Sequence, residues 1–593
     1  MKTITECLEK ELRAAFDAAG YDKEAAAVRV SDRPDLCEYQ CNGAMKLAKT
    51  EHRAPMDIAK DVALRLSDSE VFESVEAVKP GFLNMNIDPE YLAGYLRDMS
   101  NAPDLGDERI SSGETIIIDY GGPNVAKPLH VGHLRSAVIG ECVKRMGRYC
   151  GYNVLGDVHM GDFGLQMGLV ICGLKEEQPS LVYFDASYEG EYPDEPPFTA
   201  SDLERIYPQA SARSKEDEDF YKDALLATAA LQEGDRGYNA LLDKILEISV
   251  ADMKANYERL DVDFDLWLGE SDAQKYIPDM LKRLEDEGYA HLSDGALVID
   301  VTDESDAKEI PPCIVRKSDG ASLYATTDLA TLVQRMEDYK PSKVIYVTDK
   351  RQSMHFVQVF RAARKSGIVP ADVELCHIGF GTMNGKDGQP FKTREGGVMK
   401  LSGLLDEINA AMLEKLLSNK KESGEAIDKD RLTQTAGIVA LAAVKYGDLS
   451  NQAKKDYIFD MDKFTSFEGN TGPYILYTMV RIKSILRKYE EGGKAISPDA
   501  LSGADSYGQK ALMNAAAGFN GVIADAFRAL EPHRICSYIH GLCEAFNRFY
   551  HETRILGQED EEVKASYIAL ISVVLRILEA CIDVLGFTAP DAM

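Results

Sequence analysis

The stretch Glu114–Ser136, ETIIIDYGGPNVAKPLHVGHLRS, decides how the rest of the chain is read. Thr115–Ile118 is a short, continuous apolar run of the kind buried in a parallel sheet, and Asp119 closes it. Three glycines, two prolines, one lysine and two histidines follow as a helical pattern sets in. Val131, Leu134, Val138, Cys142 and Met146 share one face of that helix, with Arg135, Lys144, Arg145 and Arg148 elsewhere on it. NVLGDVHM supplies a second strand and GLQMGLVICGL a second helix. This is a βαβ unit, whose ligand site lies outside the strand ends.

A turn running from a strand end into a helix presents unpaired backbone N–H groups and the positive end of the helix dipole, which suits phosphate. Gly121, Gly122 and Gly132 permit close approach of a ligand, and Pro123 and Pro128 stiffen the loop. His130 and His133, three apart, can aim two ring N–H groups at one cluster of oxygens. Two other readings stay open: half of a metal site, although no cysteine pair or third histidine clusters nearby, and ordinary polar residues at a helix start. No G-x-x-x-x-G-K-[ST] occurs, and GTMNGKDG at 381–388 is only superficially like one, which argues against a P-loop nucleotidase.

At 593 residues the chain exceeds one hydrophobic core, so two to four domains are expected. Residues 1–105 mix helices (MDIAKDVALRL, PEYLAGYLRDM) with strand-like FESVEAVKPGFLNMNI, and NAPDLGDERISSGE reads as a linker. Residues 106–430 carry the αβ pattern, interrupted by an acidic helical insertion at about 175–260 and resumed by ALVIDV, SLYATTDLA, KVIYVTD and VELCHIGFG. Residues 431–593 read as helical. No stretch is apolar for the roughly 18 residues of a membrane span, and MKTITECLEKELRAAF is an amphipathic helix rather than a signal peptide, so a cytoplasmic protein with no membrane partner is expected. Eleven cysteines without a C-x-x-C pair suggest neither a disulfide framework nor a structural zinc. The net charge of −31 opposes nucleic acid as a whole, but screening over about 8 Å leaves local patches free to bind it.

PNVAKPLHVGH resembles the HIGH signature of class I aminoacyl-tRNA synthetases, and its extended form P-N-x-A-K-P-x-H-x-G-H resembles the arginyl-tRNA synthetase family. GDFGLQMG (161–168) is similar to the family's G-D-[WF]-G-x-Q block and SLYATTDLA (322–330) to its Y-x-x-x-D block. FGTMNGKDGQPFKTREGGVMKLSGLLDE resembles a degenerate KMSKS loop, VKYGDLSNQAKKDYIFDMDKFTSFEGNTGPYILY the junction with the helical domain, and LGFTAPDAM the C-terminal A-P-x-x-M. The resemblance covers nearly the whole chain. It implies a multidomain α/β protein: a Rossmann-type (HUP) parallel-sheet catalytic domain, an N-terminal α+β domain that touches the tRNA elbow, and a C-terminal all-α anticodon-binding bundle.

The activity implied is arginine activation by ATP with Mg²⁺, then transfer to tRNA-Arg, by a monomer. His130 and His133 would meet the ATP phosphates, with Gly132 leaving room for adenosine, Lys127 as a second cation, and Gly161, Asp162, Gln166 and Lys386 nearby. Family positions for arginine fall on Asp119, Asn124, Tyr324, Asp328 and Gln352. Two acids, a phenol and two amides match a guanidinium, an ammonium and a carboxylate, whereas lysine would leave acceptors unpaired at about 1–3 kcal/mol per buried group. Read alone, Asp328 is also a helix N-cap. In the degenerate KMSKS loop Lys392 and Arg394 would supply charge for the leaving pyrophosphate; a charged surface turn is the other reading. Asn84, Tyr474, Tyr477, Arg481 and Lys483 would bind tRNA, cations holding phosphates and aromatics stacking bases. A cysteinyl-type relative would want zinc-binding thiols, a glutamyl type basic groups where Asp119 and Asp328 stand, and a non-catalytic paralogue is supported only by the altered KMSKS loop.

Overall fold

The computed structural model describes residues 1–106, 110–111, 113–318, 320–389, 399–423 and 428–593. The chain forms two compact units, one of residues 1–110, 423–446 and 466–593, the other of 111–422 and 447–465.

In the first unit the helix Ile4–Ala18 starts at Thr3, whose hydroxyl accepts from the Glu6 N–H while Glu6 reaches back to the Thr3 N–H. Its buried stripe is Ile4, Leu8, Leu12, Ala15 and Phe16. A four-stranded antiparallel sheet follows in the order Val28–Val30, Tyr39–Cys41, Phe82–Ile87, Phe72–Val78. Along Phe82–Ile87 the alternation is strict: Leu83, Met85 and Ile87 are buried, and Phe82, Asn84 and Asn86 face outward half-exposed. The helices Pro55–Arg65 and Pro89–Asn101 belong to this unit, as do Gly472–Glu491, Tyr507–Ala517, Val522–Ala529, His533–Glu552 and Glu561–Leu585. Within this unit Asn520 donates to the Tyr95 hydroxyl at 3.1 Å, and Lys510 lies 2.6 Å from Glu73 and 3.3 Å from Glu38.

In the second unit β1 (Thr115–Asp119) leads to α1 (Val131–Tyr149), β2 (Asn153–Asp157) and α2 (Leu165–Glu177). Three insertion helices come next: α3 (Ala200–Arg213), α4 (Glu218–Gln232) and α5 (Arg236–Arg259). A small antiparallel sheet (His291–Ser293, Ala296–Ile299, Cys313–Arg316) precedes α6 (Tyr324–Asp338), β3 (Lys343–Asp349), α7 (Ser353–Lys365) and β4 (Glu374–Phe380). The four labelled strands are all parallel in the order β4-β3-β1-β2. The chain steps from β1 to β2 on one side and then crosses to β3 on the other, so the topological switch point lies at the carboxyl ends of β1 and β3. ALVIDV belongs to the small antiparallel sheet and not to this parallel one.

α1 departs from the amphipathic reading. Its apolar face is buried, but so are Arg135, one turn on from Val131 on that same face, and Lys144 on the opposite side. Arg135 is paired with Asp448 at 2.8 Å and donates to the carbonyls of Gly381 and Lys455, and Lys144 lies 2.8 Å from Glu141. The helix runs through the centre of its unit, and the charges that sequence periodicity places at a surface are neutralised inside.

Candidate active site

The turn after β1 brings the two histidines together by using them on its own backbone. His130 caps α1: its Nδ1 accepts from the Gly132 N–H at 3.0 Å, and His133 Nδ1 accepts from the His130 N–H at 3.1 Å. Both Nδ1 atoms are acceptors, so each neutral ring carries its proton on Nε2. The rings stack with centroids 4.0 Å apart. Burial lowers both pKa values, that of His133 to about 3, with the neighbouring imidazole and Lys127 adding to it. At neutral pH the pair is two uncharged N–H donors. A Cβ on Gly132 would sit 2.7 Å from His130 Cε1, so the missing side chain makes room for the capping imidazole itself. Upstream, Ala126 adopts a left-handed φ of 62° that alanine rarely takes, and its N–H is held by Ser249 Oγ of α5 at 3.2 Å. The Lys127 ammonium lies 4.4 Å over the Tyr207 ring of α3.

Beneath the turn, the Arg335 guanidinium of α6 donates to Asp119 at 2.6 Å and Asp157 at 2.7 Å, all three buried. Asp119 therefore has one carboxylate oxygen bonded to the protein's own arginine; burial raises its pKa. Asp119, Asp157 and His159 are spaced as a metal site would be, but Arg335 already stands where the cation would. His130 and His133 are not part of that group, so the half-metal-site reading of the pair gains nothing here.

Asp162 is tied to the protein's own loop. It is 1% exposed, and its two oxygens accept from the Ser271 N–H at 2.9 Å and the Ser271 hydroxyl at 2.6 Å. It clasps the 269–271 loop, one hydrogen bond to each oxygen. Gln166 donates to the Gly161 carbonyl at 2.5 Å, and Gly161 pairs with Asn124 in a short parallel bridge. A Cβ on Gly161 would meet Asn124 Oδ1 at 2.5 Å. Lys386 is exposed and lies 3.0 Å from Asp460 and 3.3 Å from Asp462. Lys392 and Arg394 lie outside the described residues.

A second group, around the start of α6, is acidic. Tyr324 opens α6 and is 73% exposed. Asp328 sits in the second turn of that helix, whose cap residue is Leu323, so Asp328 is not the N-cap. Its Oδ2 accepts from His355 Nε2 at 2.5 Å. Glu270, which no motif marks, stands close enough to feel the charges of Asp162, His159 and Asp328. Burial, then the Asp162 charge, raise its pKa to about 7. Burial also raises the Tyr324 phenol, followed by Glu270, Tyr207 and Asp328. Gln352 is exposed in the turn after β3. Glu270 and His355 are the residues sequence reading missed.

In the first unit, Tyr474, Tyr477 and Arg481 share a face of Gly472–Glu491. Arg481 lies 4.9 Å over Tyr477 and 5.1 Å over Tyr550, while the Tyr474 hydroxyl accepts from Asn547. Lys483 points away from them, 3.5 Å from the Ala589 carbonyl and 3.8 Å from Glu579, which corrects its grouping with that face. Asn84 accepts from Gln40 at 2.9 Å on the outer face of the sheet.

Comparison with known proteins agrees with this architecture. The family described as tRNA synthetases class I (R), catalytic domain, matches residues 100–461, which makes the central unit that of a class I aminoacyl-tRNA synthetase. The DALR anticodon binding domain matches 475–593 and the arginyl tRNA synthetase N terminal domain matches 2–87. A curated arginine–tRNA ligase of Agathobacter rectalis is 60% identical over 597 residues, covering 100% of each chain, and one of Alkaliphilus oremlandii is 52% identical over 578 residues, covering 98% of this chain and 97% of that one. The chain belongs to the arginyl-tRNA synthetase family. In fold it is similar to the arginyl-tRNA synthetase of Plasmodium falciparum (TM-score 0.81, 24% identity, all of both chains) and to that of Thermus thermophilus (TM-score 0.78, 21% identity, all of both chains).

Proposed function

We propose that the chain charges tRNA-Arg with L-arginine at the expense of ATP. An oxygen of the arginine carboxylate attacks the α-phosphorus, the bond to pyrophosphate breaks, and arginyl-adenylate forms. The 2′-hydroxyl of the terminal adenosine then attacks the carbonyl, AMP departs, and the ester remains. Such transfer depends on positioning and on stabilising charge at oxygen.

The observation that carries the reading is the locked pair of Nε2–H donors at the switch point, and the acidic group of Tyr324, Asp328 and Glu270 supports it. In this reading His130 and His133 bond phosphate oxygens without adding charge, and Lys127 supplies the cation. Asp328 and Glu270 take the guanidinium and the Tyr324 hydroxyl one of its N–H groups. Asn124, Gln352 and the free oxygen of Asp119 orient the carboxylate and ammonium. Gly161 and Gln166 form the edge of the nucleotide cleft. Mg²⁺ would enter with ATP as part of the substrate, because it dehydrates reluctantly and takes most of its ligands from phosphate and water.

For tRNA, Asn84 on the N-terminal sheet would meet the elbow. Tyr474, Tyr477 and Arg481 on the C-terminal helices would meet unpaired bases and phosphate, consistent with a division into 1–105, 106–430 and 431–593. Among the described residues no helix is long and apolar enough to cross a membrane. We take the protein to act as a cytoplasmic monomer. Charging total tRNA with each of the twenty amino acids in turn tests the assignment: arginine should be accepted far above the rest, and preference for any other amino acid overturns it.

A further inference from the structure

Two lysines border the histidine turn, and one face of the insertion helix α3 treats them oppositely. Glu204 and Tyr207 are three residues apart, on the same side of the helix. Glu204 pairs with Lys400 at 2.7 Å. Lys400 is stitched beside the turn by backbone bonds on either side of it, from the Val131 N–H to the Met399 carbonyl (3.0 Å) and from the Leu401 N–H to the Leu129 carbonyl (2.9 Å). Its charge is neutralised. Lys127, by contrast, has no carboxylate within ion-pair distance among the described residues, and its ammonium meets the face of the Tyr207 ring. A ring face attracts a cation more weakly than a carboxylate does and leaves its charge uncancelled. It can therefore fix where the ammonium sits and still give it up to a phosphate.

The geometry points to Tyr207 as a positioning residue for Lys127, with α3 sorting the two lysines so that one is silenced and the other is held ready for the triphosphate. A second contact from the same insertion supports this. Ser249 of α5 holds the N–H of left-handed Ala126, the residue immediately before Lys127, so backbone and side chain at this point are both set by the insertion. Tyr207 also lies near enough to Tyr324 to help raise its phenol, after burial and Glu270.

This inference rests on the reading that Lys127 meets ATP, and the test separates the two. Steady-state aminoacylation is measured for Lys127→Met, Tyr207→Leu, Tyr207→Phe and the double variant Lys127→Met/Tyr207→Leu. Tyr207→Leu should lower kcat/KM for ATP about three- to tenfold, as loss of a half-exposed cation–ring contact does, with the arginine KM changed less than about twofold. Tyr207→Phe keeps the ring and should restore near-normal values. The double variant should be no worse than Lys127→Met alone, because Tyr207 acts only through the lysine. If leucine does not fold at this position, methionine is read in the same assays. Additive losses, an equal loss in Tyr207→Phe, or a silent Tyr207→Leu beside an impaired Lys127→Met overturns the role of Tyr207. A silent Lys127→Met overturns the placement of Lys127 at the phosphates, and this inference falls with it.

Discussion

The two sides of the mouth solve opposite electrostatic problems. On the phosphate side, burial drives His130 and His133 to their neutral forms, and each ring is tied to the backbone before any ligand arrives. On the amino-acid side, burial and neighbouring acids hold Glu270 at a pKa of about 7, so that wall is short of positive charge when empty. The phosphate side is preorganised at little cost. The amino-acid side carries a deficit that only a cation relieves, and an arginine guanidinium has the shape and permanent charge to do so. With the roles proposed above, the difference teaches that specificity for the amino acid is written as unmet demand, and nucleotide binding as fixed geometry.

The largest effect expected belongs to the floor that both sides share. Arg335→Met leaves Asp119 and Asp157 buried without their counter-charge, at a cost of about 3–5 kcal/mol. The thermal midpoint should fall sharply, and adding Asp119→Asn with Asp157→Asn should recover part of the loss. Next comes the phosphate side. His133→Ala should reduce kcat by about 10²–10³ with little change in arginine KM, as loss of one transition-state donor does. His133→Asn, a neutral donor, should retain more activity; if asparagine is no better than alanine, the neutral-donor role is wrong. On the opposite wall Asp328→Asn should cut kcat/KM for arginine about 10²-fold and spare the ATP KM, a split read from paired titrations. An unchanged arginine KM and turnover would remove Asp328 from the pocket.

The smallest effect is also the sharpest test of the contrast. Glu270 must be ionised to accept a guanidinium, so arginine affinity should weaken as pH falls below about 7 and level off above it. Glu270→Gln should bind about tenfold more weakly at pH 8 and lose that pH dependence. Neutral His133, with its pKa near 3, should add no such slope in this range.

Much of this was legible in the sequence because it is local. The apolar run before Asp119, the glycine- and proline-rich turn and the helical periodicity after it define strand, turn and helix within one stretch, and His130 and His133 fall where their spacing puts them. The misses are tertiary. Asp162 looks like a nucleotide ligand in its motif, and nothing local in sequence shows that Ser271, more than a hundred residues on, also hydrogen-bonds both its oxygens. Arg135 and Lys144 give no sign of burial in the sequence because Asp448 and the Asp263 carbonyl, which receive them inside, lie more than a hundred residues away. Glu270 sits in WLGESD, a stretch with no motif, and only its burial beside other acids gives it a role. Lys483 was grouped with Arg481 by proximity in sequence, although two residues along a helix nearly reverse direction.

Calorimetry of arginine binding at pH 7, repeated in buffers of different ionisation enthalpy, probes the unmet demand directly. Bound guanidinium should force Glu270 to ionise, so a sizeable fraction of a proton should be released per arginine bound by the natural protein, and none by Glu270→Gln. Equal release by both proteins, or none by either, would contradict the account.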